Sequence, residues 1–151
     1  MGLLFFQTQN NMVNQLEVTS EIIIHATEDK KKVLESIFEL FEIKEEEFFE
    51  EKLVGHFGNP ILLLKIKITK KRAEEFIQKL VSKISRVQMN EFLQDIEMHF
   101  QDSSLFLRTG KQDLVRRLIS LQQNDAIKIK ISVPVYKKNE LVRTYLELLK
   151  Q

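Results

Sequence analysis

The ten residues at positions 61–70 constrain the fold of this chain more than any other stretch of its sequence. Apolar side chains occupy every second position of this run: Leu62, Leu64, Ile66 and Ile68. The positions between them are mostly polar: Leu63, Lys65, Lys67 and Thr69. An alternation of this length predicts a β-strand with one buried side and one side that faces water.

A turn is predicted immediately before this strand, in the sequence G-H-F-G-N-P at positions 55–60. Glycine adopts positive φ angles without strain, and proline keeps the residue before it extended. We therefore expect a hairpin formed by positions 51–54 and 61–70, with a loop of about six residues. This loop would present His56 and Asn59 to solvent.

The rest of the chain shows both strand and helix patterns. Apolar and polar residues alternate again at 16–26, 105–108 and 127–133, where strands are expected. Helical spacing predicts helices at 29–41, 73–84, 90–100, 110–119 and 140–150, with N-caps at Thr27, Asn90 and Thr109 for the first, third and fourth. One-sided strands and amphipathic helices predict an α+β fold, a two-layer sandwich in which helices pack on one face of a mainly antiparallel sheet.

Length and composition define the class of protein further. We expect one α+β domain at 16–134, an N-terminal extension at 1–15 and an amphipathic helical extension at 135–151. The absence of cysteine excludes disulfides and thiolate metal sites, and fits a cytoplasmic location. No apolar run approaches the roughly 20 residues that span a bilayer, so no membrane association is expected.

The formal net charge is only +1, so a polyanion would require a local concentration of cations. Strand parity puts cations and one phenylalanine on the predicted solvent side: Lys65, Lys67, Phe106, Arg108, Lys128 and Lys130. If their strands are neighbours, this side can neutralise phosphates and stack an unpaired base. The alternative is a merely solvated sheet surface, on which lysine is common.

Other polar clusters give little indication of catalysis. The histidines at 25, 56 and 99 lack the spacing of a metal site, and nothing in the sequence pairs two of them as acid and base. We therefore expect no catalytic residue, metal or cofactor, with a weak nuclease as the enzyme alternative. The glutamate-rich segment 42–51 is expected to be a solvated linker. Lys30, Lys31 and Lys32 lie in the first turn of a predicted helix, where the dipole disfavours cations, and this fits an anionic partner.

Three motifs together resemble an archaeal family of RNA-binding proteins described as predicted exosome subunits. They are H-A-T-E-D-K-K-K-V-L at 25–34, G-H-F-G-N-P-I at 55–61 and L-F-L-R-T-G-K-Q at 105–112. Their order and spacing also match, and the similarity covers roughly 17–133. The resemblance implies a fold similar to that of the number-five protein of the large ribosomal subunit, with RNA and RNA-processing or exosome proteins as partners. It keeps Arg108, Lys111 and Gln112, whereas Gly110 stands where the family typically has an acidic residue.

These observations predict a non-catalytic RNA-binding protein that is an accessory of RNA processing or degradation. The expected RNA contacts are Lys65, Lys67, Arg108, Lys111, Gln112, Lys128, Lys130, His56 and Asn59. The alternative is a protein-interaction module, because the helix at 140–150 is apolar over much of its surface. That helix would either cover the domain's own sheet or form a homodimer.

Overall fold

The computed structural model describes residues 12–135 and 137–150. Six strands form one sheet in the order β2-β3-β1-β6-β5-β4. The strands are β1 (Glu17–His25), β2 (Phe49–Val54), β3 (Pro60–Thr69), β4 (Phe100–Gln101), β5 (Ser104–Gly110) and β6 (Ala126–Ser132). The helices are α1 (Lys30–Phe41), α2 (Lys70–Lys83), α3 (Arg86–Gln94), α4 (Lys111–Val115) and α5 (Leu141–Leu149). The predicted α+β class with an antiparallel sheet is confirmed.

Each of the four long central strands has one buried side. In β1, for example, Val18, Ser20, Ile22 and Ile24 are buried, and the residues between them are exposed or half-buried. The same alternation runs through β5, β6 and the second half of β3. The helices pack on the buried side and the other side faces water, so the alternation of apolar and polar residues predicted the two sides correctly.

By its internal contacts the chain divides into two compact units, each with its own core. The first contains the described residues of Met1–Val18, Lys67–Phe106 and Lys130–Gln151. In it α2 contacts α5, and its core is built from the apolar stripes of these helices and short pieces of strand. Its most buried side chains include Leu16, Ile77, Leu80, Leu105, Ile131, Tyr145 and Leu149.

The second unit contains Thr19–Ile66 and Leu107–Ile129. Here α1 contacts the short helix α4. The core residues come from both helices and from the strands β1, β3, β5 and β6: Ile22, Ile24, Val33, Leu34, Ile37, Leu64, Leu107, Leu114, Ile127 and Ile129.

The observed helix starts differ from those predicted. Asp29, not Thr27, caps α1, since its Oδ1 accepts a hydrogen bond from the backbone nitrogen of Lys32 at 3.3 Å. The hydroxyl of Ser85 caps α3, so Asn90 lies inside that helix. Thr109 caps nothing, because it is buried at the end of β5 and pairs with Leu121 across an antiparallel bridge. Two of the caps therefore lie directly before the observed first helical residue, Lys30 or Arg86. The third predicted cap, Thr109, is held by its strand partner instead.

Within residues 12–135 and 137–150, no helix combines the length and the apolarity needed to cross a bilayer. Residues 1–11 of the predicted N-terminal extension lie outside the described residues.

Candidate nucleic-acid interface

In the second unit, three of the predicted cations lie on the unburied side of their strands. Arg108 of β5 is exposed, and Lys65 of β3 and Lys128 of β6 are half-buried. Lys65 stands directly opposite Phe49 of β2, whose side chain is 65% exposed. Directly opposed residues of an antiparallel pair project from the same side of the sheet. An exposed aromatic ring therefore lies beside this lysine, which the sequence prediction missed because it started β2 two residues too late.

In the first unit, Lys67 and Lys130 also point away from the buried side. The ammonium of Lys130 lies 5.9 Å from the ring centroid of Phe106, within the range of a cation–π contact. Lys67 pairs with Glu17 of β1 at 3.2 Å, and both side chains are largely exposed. A surface pair of this kind is weak in water, so a phosphate can compete for the lysine.

The strand order limits how the cations are arranged. Strands β5 and β6 are neighbours, but β1 separates β6 from β3. The unburied side of β1 carries Glu17 and Glu21 as well as Ile23, which is 43% exposed. The cations thus come from β3 on one side of β1 and from β6 and β5 on the other, so the acidic strand β1 lies between them.

Lys111 does not belong to this exposed set, contrary to its predicted role as an RNA contact. It is only 3% exposed. Its ammonium donates to the carbonyl of Ile23 at 2.6 Å and to the Glu28 carboxylate at 2.7 Å, and it pairs with Asp125 at 3.1 Å. The ammonium thus has two hydrogen bonds, and a second carboxylate balances its charge. The side chain therefore joins β1, α4 and the segment before β6.

Gln112 is exposed, and its amide lies 3.4 Å from the second carboxylate oxygen of Glu28. It remains open to solvent beside the buried lysine. At Gly110, just before these residues, a Cβ would meet the Gln122 amide at 2.7 Å, so a larger residue there would displace that amide. The Gln122 amide in turn donates to Asp113 at 2.7 Å.

His25, Glu28 and Asp125 bring potential metal-ligand atoms within 4.8 Å of one another. The Lys111 ammonium already contacts both carboxylates, and it supplies the positive charge that a metal would bring. The backbone nitrogen of His25 donates to Glu28 at 2.9 Å, which holds that carboxylate in place. The arrangement is that of a structural ion-pair network.

His99 is also in a structural setting. Its ring stacks on Phe92 with centroids 4.3 Å apart. Burial lowers the pKa of His99, because desolvation disfavours the charged imidazolium, and Asp95 opposes this effect.

One of the three lysines at the start of α1 has ion-pair partners in the glutamate-rich segment 42–51. Lys30 pairs with Glu50 at 2.7 Å and with Glu45 at 3.4 Å. The hydrogen bond that the Lys30 ammonium donates to Glu50 has the largest effect, and it raises the pKa of Lys30 because it favours the charged form. Lys31 is 84% exposed and lies 3.9 Å from Glu35. The linker is therefore partly an ion-pair partner of α1, which removes the need for an external anion at Lys30.

The hairpin between β2 and β3 presents His56, Phe57 and Asn59 as exposed side chains. Phe57 is 86% exposed, although the prediction had singled out only its two polar neighbours. The rings of His56 and Phe57 meet edge to face at 4.8 Å with an interplanar angle of 79°.

The last helix, α5, is packed within the first unit. The hydroxyl of Tyr145 donates to the Ser103 carbonyl at 2.6 Å, and it accepts from the backbone nitrogen of Val133 at 3.3 Å. Helix α5 also contacts α2. It therefore leaves Lys67 and Lys130 uncovered, and both are exposed.

A model of a protein family described as RNA binding matches residues 17–133. The chain belongs to this RNA-binding family. The match includes all six strands and stops before α5, so the hairpin and the strand cations lie inside the family region. The resemblance predicted from the three motifs is confirmed at this level.

Archaeal relatives agree with this assignment. The chain is 32% identical over 135 residues to an RNA-binding protein of Pyrococcus abyssi, covering 83% of this chain and 88% of the relative. It is 31% identical over 107 residues to an uncharacterized protein of Methanocaldococcus jannaschii, covering 67% and 70% of the two chains. A crystal structure of an Archaeoglobus fulgidus protein of the family DUF54 superposes with a TM-score of 0.76 at 29% identity, over 87% of this chain and 97% of the other.

Proposed function

We propose that this protein binds RNA without catalysis and serves as an accessory of RNA processing or degradation in the cytoplasm. The observation that carries the proposal is the match of residues 17–133 to the RNA-binding family. The strands in this region present cations on the side away from the core. Phosphate contacts come from side chains on the unburied side of β3, β5 and β6: Lys65, Lys67, Arg108, Lys128 and Lys130. Gln112, His56 and Asn59 are further RNA contacts, and Lys111 supports the fold instead.

Salt dependence gives a direct test. Each phosphate contact releases counterions, so binding to a labelled single-stranded RNA weakens with salt in proportion to the number of contacts. Replacing Lys65, Arg108 or Lys128 singly by glutamine should reduce the slope of log K against log salt by roughly 0.7 each. Lys83→Gln is the matched control, because it removes the same charge from an exposed helix position, at the end of α2. Equal slopes for all four variants would contradict the proposed contacts.

The non-catalytic and accessory parts need separate experiments. Labelled RNA incubated with the protein and Mg²⁺ or Mn²⁺ should stay intact, and cleavage that copurifies with the protein would contradict the non-catalytic part of the proposal.

The accessory part is tested with a purified exosome. Adding the protein to it should change the rate at which bound RNA is degraded. An unchanged rate would remove the accessory role and leave RNA binding in place.

A protein-interaction role through α5 has less support. Tyr145 and Leu149 of this helix are buried in the chain's own core, and Leu146, at 38%, is the large apolar side chain that α5 exposes. Stable interfaces need about 800 Å² from each partner. Sedimentation as a monomer, with and without RNA, is the result we expect.

A further inference from the structure

The tip of the β2–β3 hairpin is a well-defined turn. Gly58 donates its backbone N–H to the Gly55 carbonyl at 3.0 Å, which places His56 and Phe57 at the two corners. Among these residues only Gly58 has a positive φ, of 79°, so the corner is a type I turn followed by a left-handed glycine. Gly55 donates to the Asn59 carbonyl at 2.6 Å and closes the loop. This is the usual geometry of a three-residue hairpin connection.

Phe57 is the most exposed of the large apolar side chains that the structure describes, at 86%. The turn does not require it, because polar residues and glycine are the ones that stabilise such corners. With so little of its surface covered, at least one face of the ring is open to solvent. The ring therefore contributes nothing to the core and is available to a ligand.

The surroundings of Phe57 indicate which ligand. The segment from Val54 to Pro60 has no acidic or lysine side chain, so it does not hold a phosphate by charge. It offers a flat ring, an imidazole beside it and the amide of Asn59. Aromatic rings stack on unpaired bases, and nearby amides and imidazoles hydrogen-bond to base edges. One ring is also far smaller than the roughly 800 Å² that a protein partner needs.

We propose that Phe57 stacks on an unpaired RNA base, with His56 and Asn59 at the edge of that base. The inference rests on the proposed RNA-binding function and adds a substrate class: single-stranded or looped RNA. Bases inside a duplex are stacked on each other, so the ring cannot reach their faces. The tip therefore recognises open bases, and the strand cations hold the backbone.

The test compares a single-stranded RNA, containing one 2-aminopurine, with its own duplex. Phe57→Ala should weaken binding of the single strand on the order of tenfold and abolish the fluorescence quenching that stacking causes. The duplex affinity and the salt slope should stay unchanged. Phe57→Tyr keeps the ring and should bind like the parent protein. Val54→Ala is the matched control, because it truncates a 77% exposed apolar side chain on the same hairpin.

The outcomes separate this inference from the function on which it rests. If the lysine variants weaken binding and Phe57→Ala does not, the stacking site is wrong and RNA binding stands. If Val54→Ala loses as much as Phe57→Ala, the tip is a general apolar contact and the inference is also wrong. If the parent protein binds neither RNA, the proposed function itself fails. The loss of RNA binding cannot be a folding defect if thermal melting of Phe57→Ala matches that of the parent protein.

Discussion

The Lys111 site and the hairpin tip use their residues in opposite ways. Lys111 is a charged side chain that is 3% exposed, with two hydrogen bonds and two carboxylates beside its ammonium. Phe57 is an apolar side chain that is 86% exposed, in a loop closed only by backbone hydrogen bonds. Each residue therefore lies in the environment that its chemistry disfavours.

This difference indicates that Lys111 stabilises the fold and that Phe57 is available to bind a ligand. A buried charge is tolerated only when its partners replace water, so the Lys111 network is part of the folded structure and not a binding site. An exposed aromatic ring gives no such stability, so the hairpin tip is available for binding. We expect substitutions at the first site to change the free energy of unfolding, and substitutions at the second to change RNA affinity.

The largest effect is expected for Lys111→Met. Removing the ammonium leaves the carboxylates of Glu28 and Asp125 without a counter-charge, and breaking a buried pair costs about 3 kcal/mol of unfolding free energy. Urea denaturation measures the loss. Lys31→Met, at an 84% exposed position, is the control and should cost less than about 0.5 kcal/mol. A loss below about 1 kcal/mol at Lys111 would mean that the network contributes little stability.

Tyr145→Phe tests a second buried polar group and should cost about 2 kcal/mol, because the Val133 N–H is left buried without an acceptor. Thr144→Val removes a hydroxyl that donates an exposed hydrogen bond to the carbonyl of Glu140, just before α5; it is the control and should be nearly neutral.

The same tyrosine gives a pH dependence with a definite sign. Burial raises the pKa of Tyr145 above its ordinary value of 10.0, because desolvation disfavours the phenolate. Its contribution to stability is therefore complete below about pH 10 and is lost as pH rises through the folded-state pKa. The stability difference between the parent protein and Tyr145→Phe should shrink above about pH 10. A difference that grows with alkaline pH would contradict the burial of this hydroxyl.

A smaller effect is expected for Gly58→Ala in the hairpin. Its φ of 79° is unfavourable for alanine, whereas a Cβ there would meet no atom within 4 Å, so only backbone strain of about 1 kcal/mol is added. Gly58→Asn should lose less, since asparagine tolerates the left-handed region. Equal stability of all three proteins in urea would mean that the loop relaxes freely and does not hold Phe57 in one position.

The smallest effect on stability is expected for Phe57→Ala. Because the ring is 86% exposed, its removal should change the unfolding free energy by less than about 0.5 kcal/mol. A larger loss, measured by urea denaturation, would show that the ring packs against the fold and would remove the contrast between the two sites.

Local patterns predicted the secondary structure well where one rule decided it. The alternation in β3 and the helical spacing in α2 appear in the structure close to the expected bounds. The prediction was wrong where a contact with a distant part of the chain overrode a local rule. Thr109 has the sequence of a helix cap, but it stays in β5 because its backbone pairs with a distant residue, Leu121.

The candidate site shows the same limit. Lys65 and Arg108 lie on the unburied side of their strands, because strand parity is a local property. Lys111 was predicted as an RNA contact from the motif that it shares with the family, yet it is buried by partners from other parts of the chain. Phe57 and Phe49 were missed, since periodicity does not show which apolar residues the fold leaves exposed. The likeness to a ribosomal protein and the link to an exosome stay predictions.

The sequence by itself determined the α+β class, the side of the four central strands that faces water and membership of the RNA-binding family, since all three depend on residue types at fixed spacings. Only the tertiary structure decided which cations remain available. Glu28 and Lys111 are 83 residues apart in sequence, and their ion pair exists because the fold excludes water between them. Burial is a property of the assembled chain. It decides whether a charged side chain stabilises the fold or remains exposed for RNA binding.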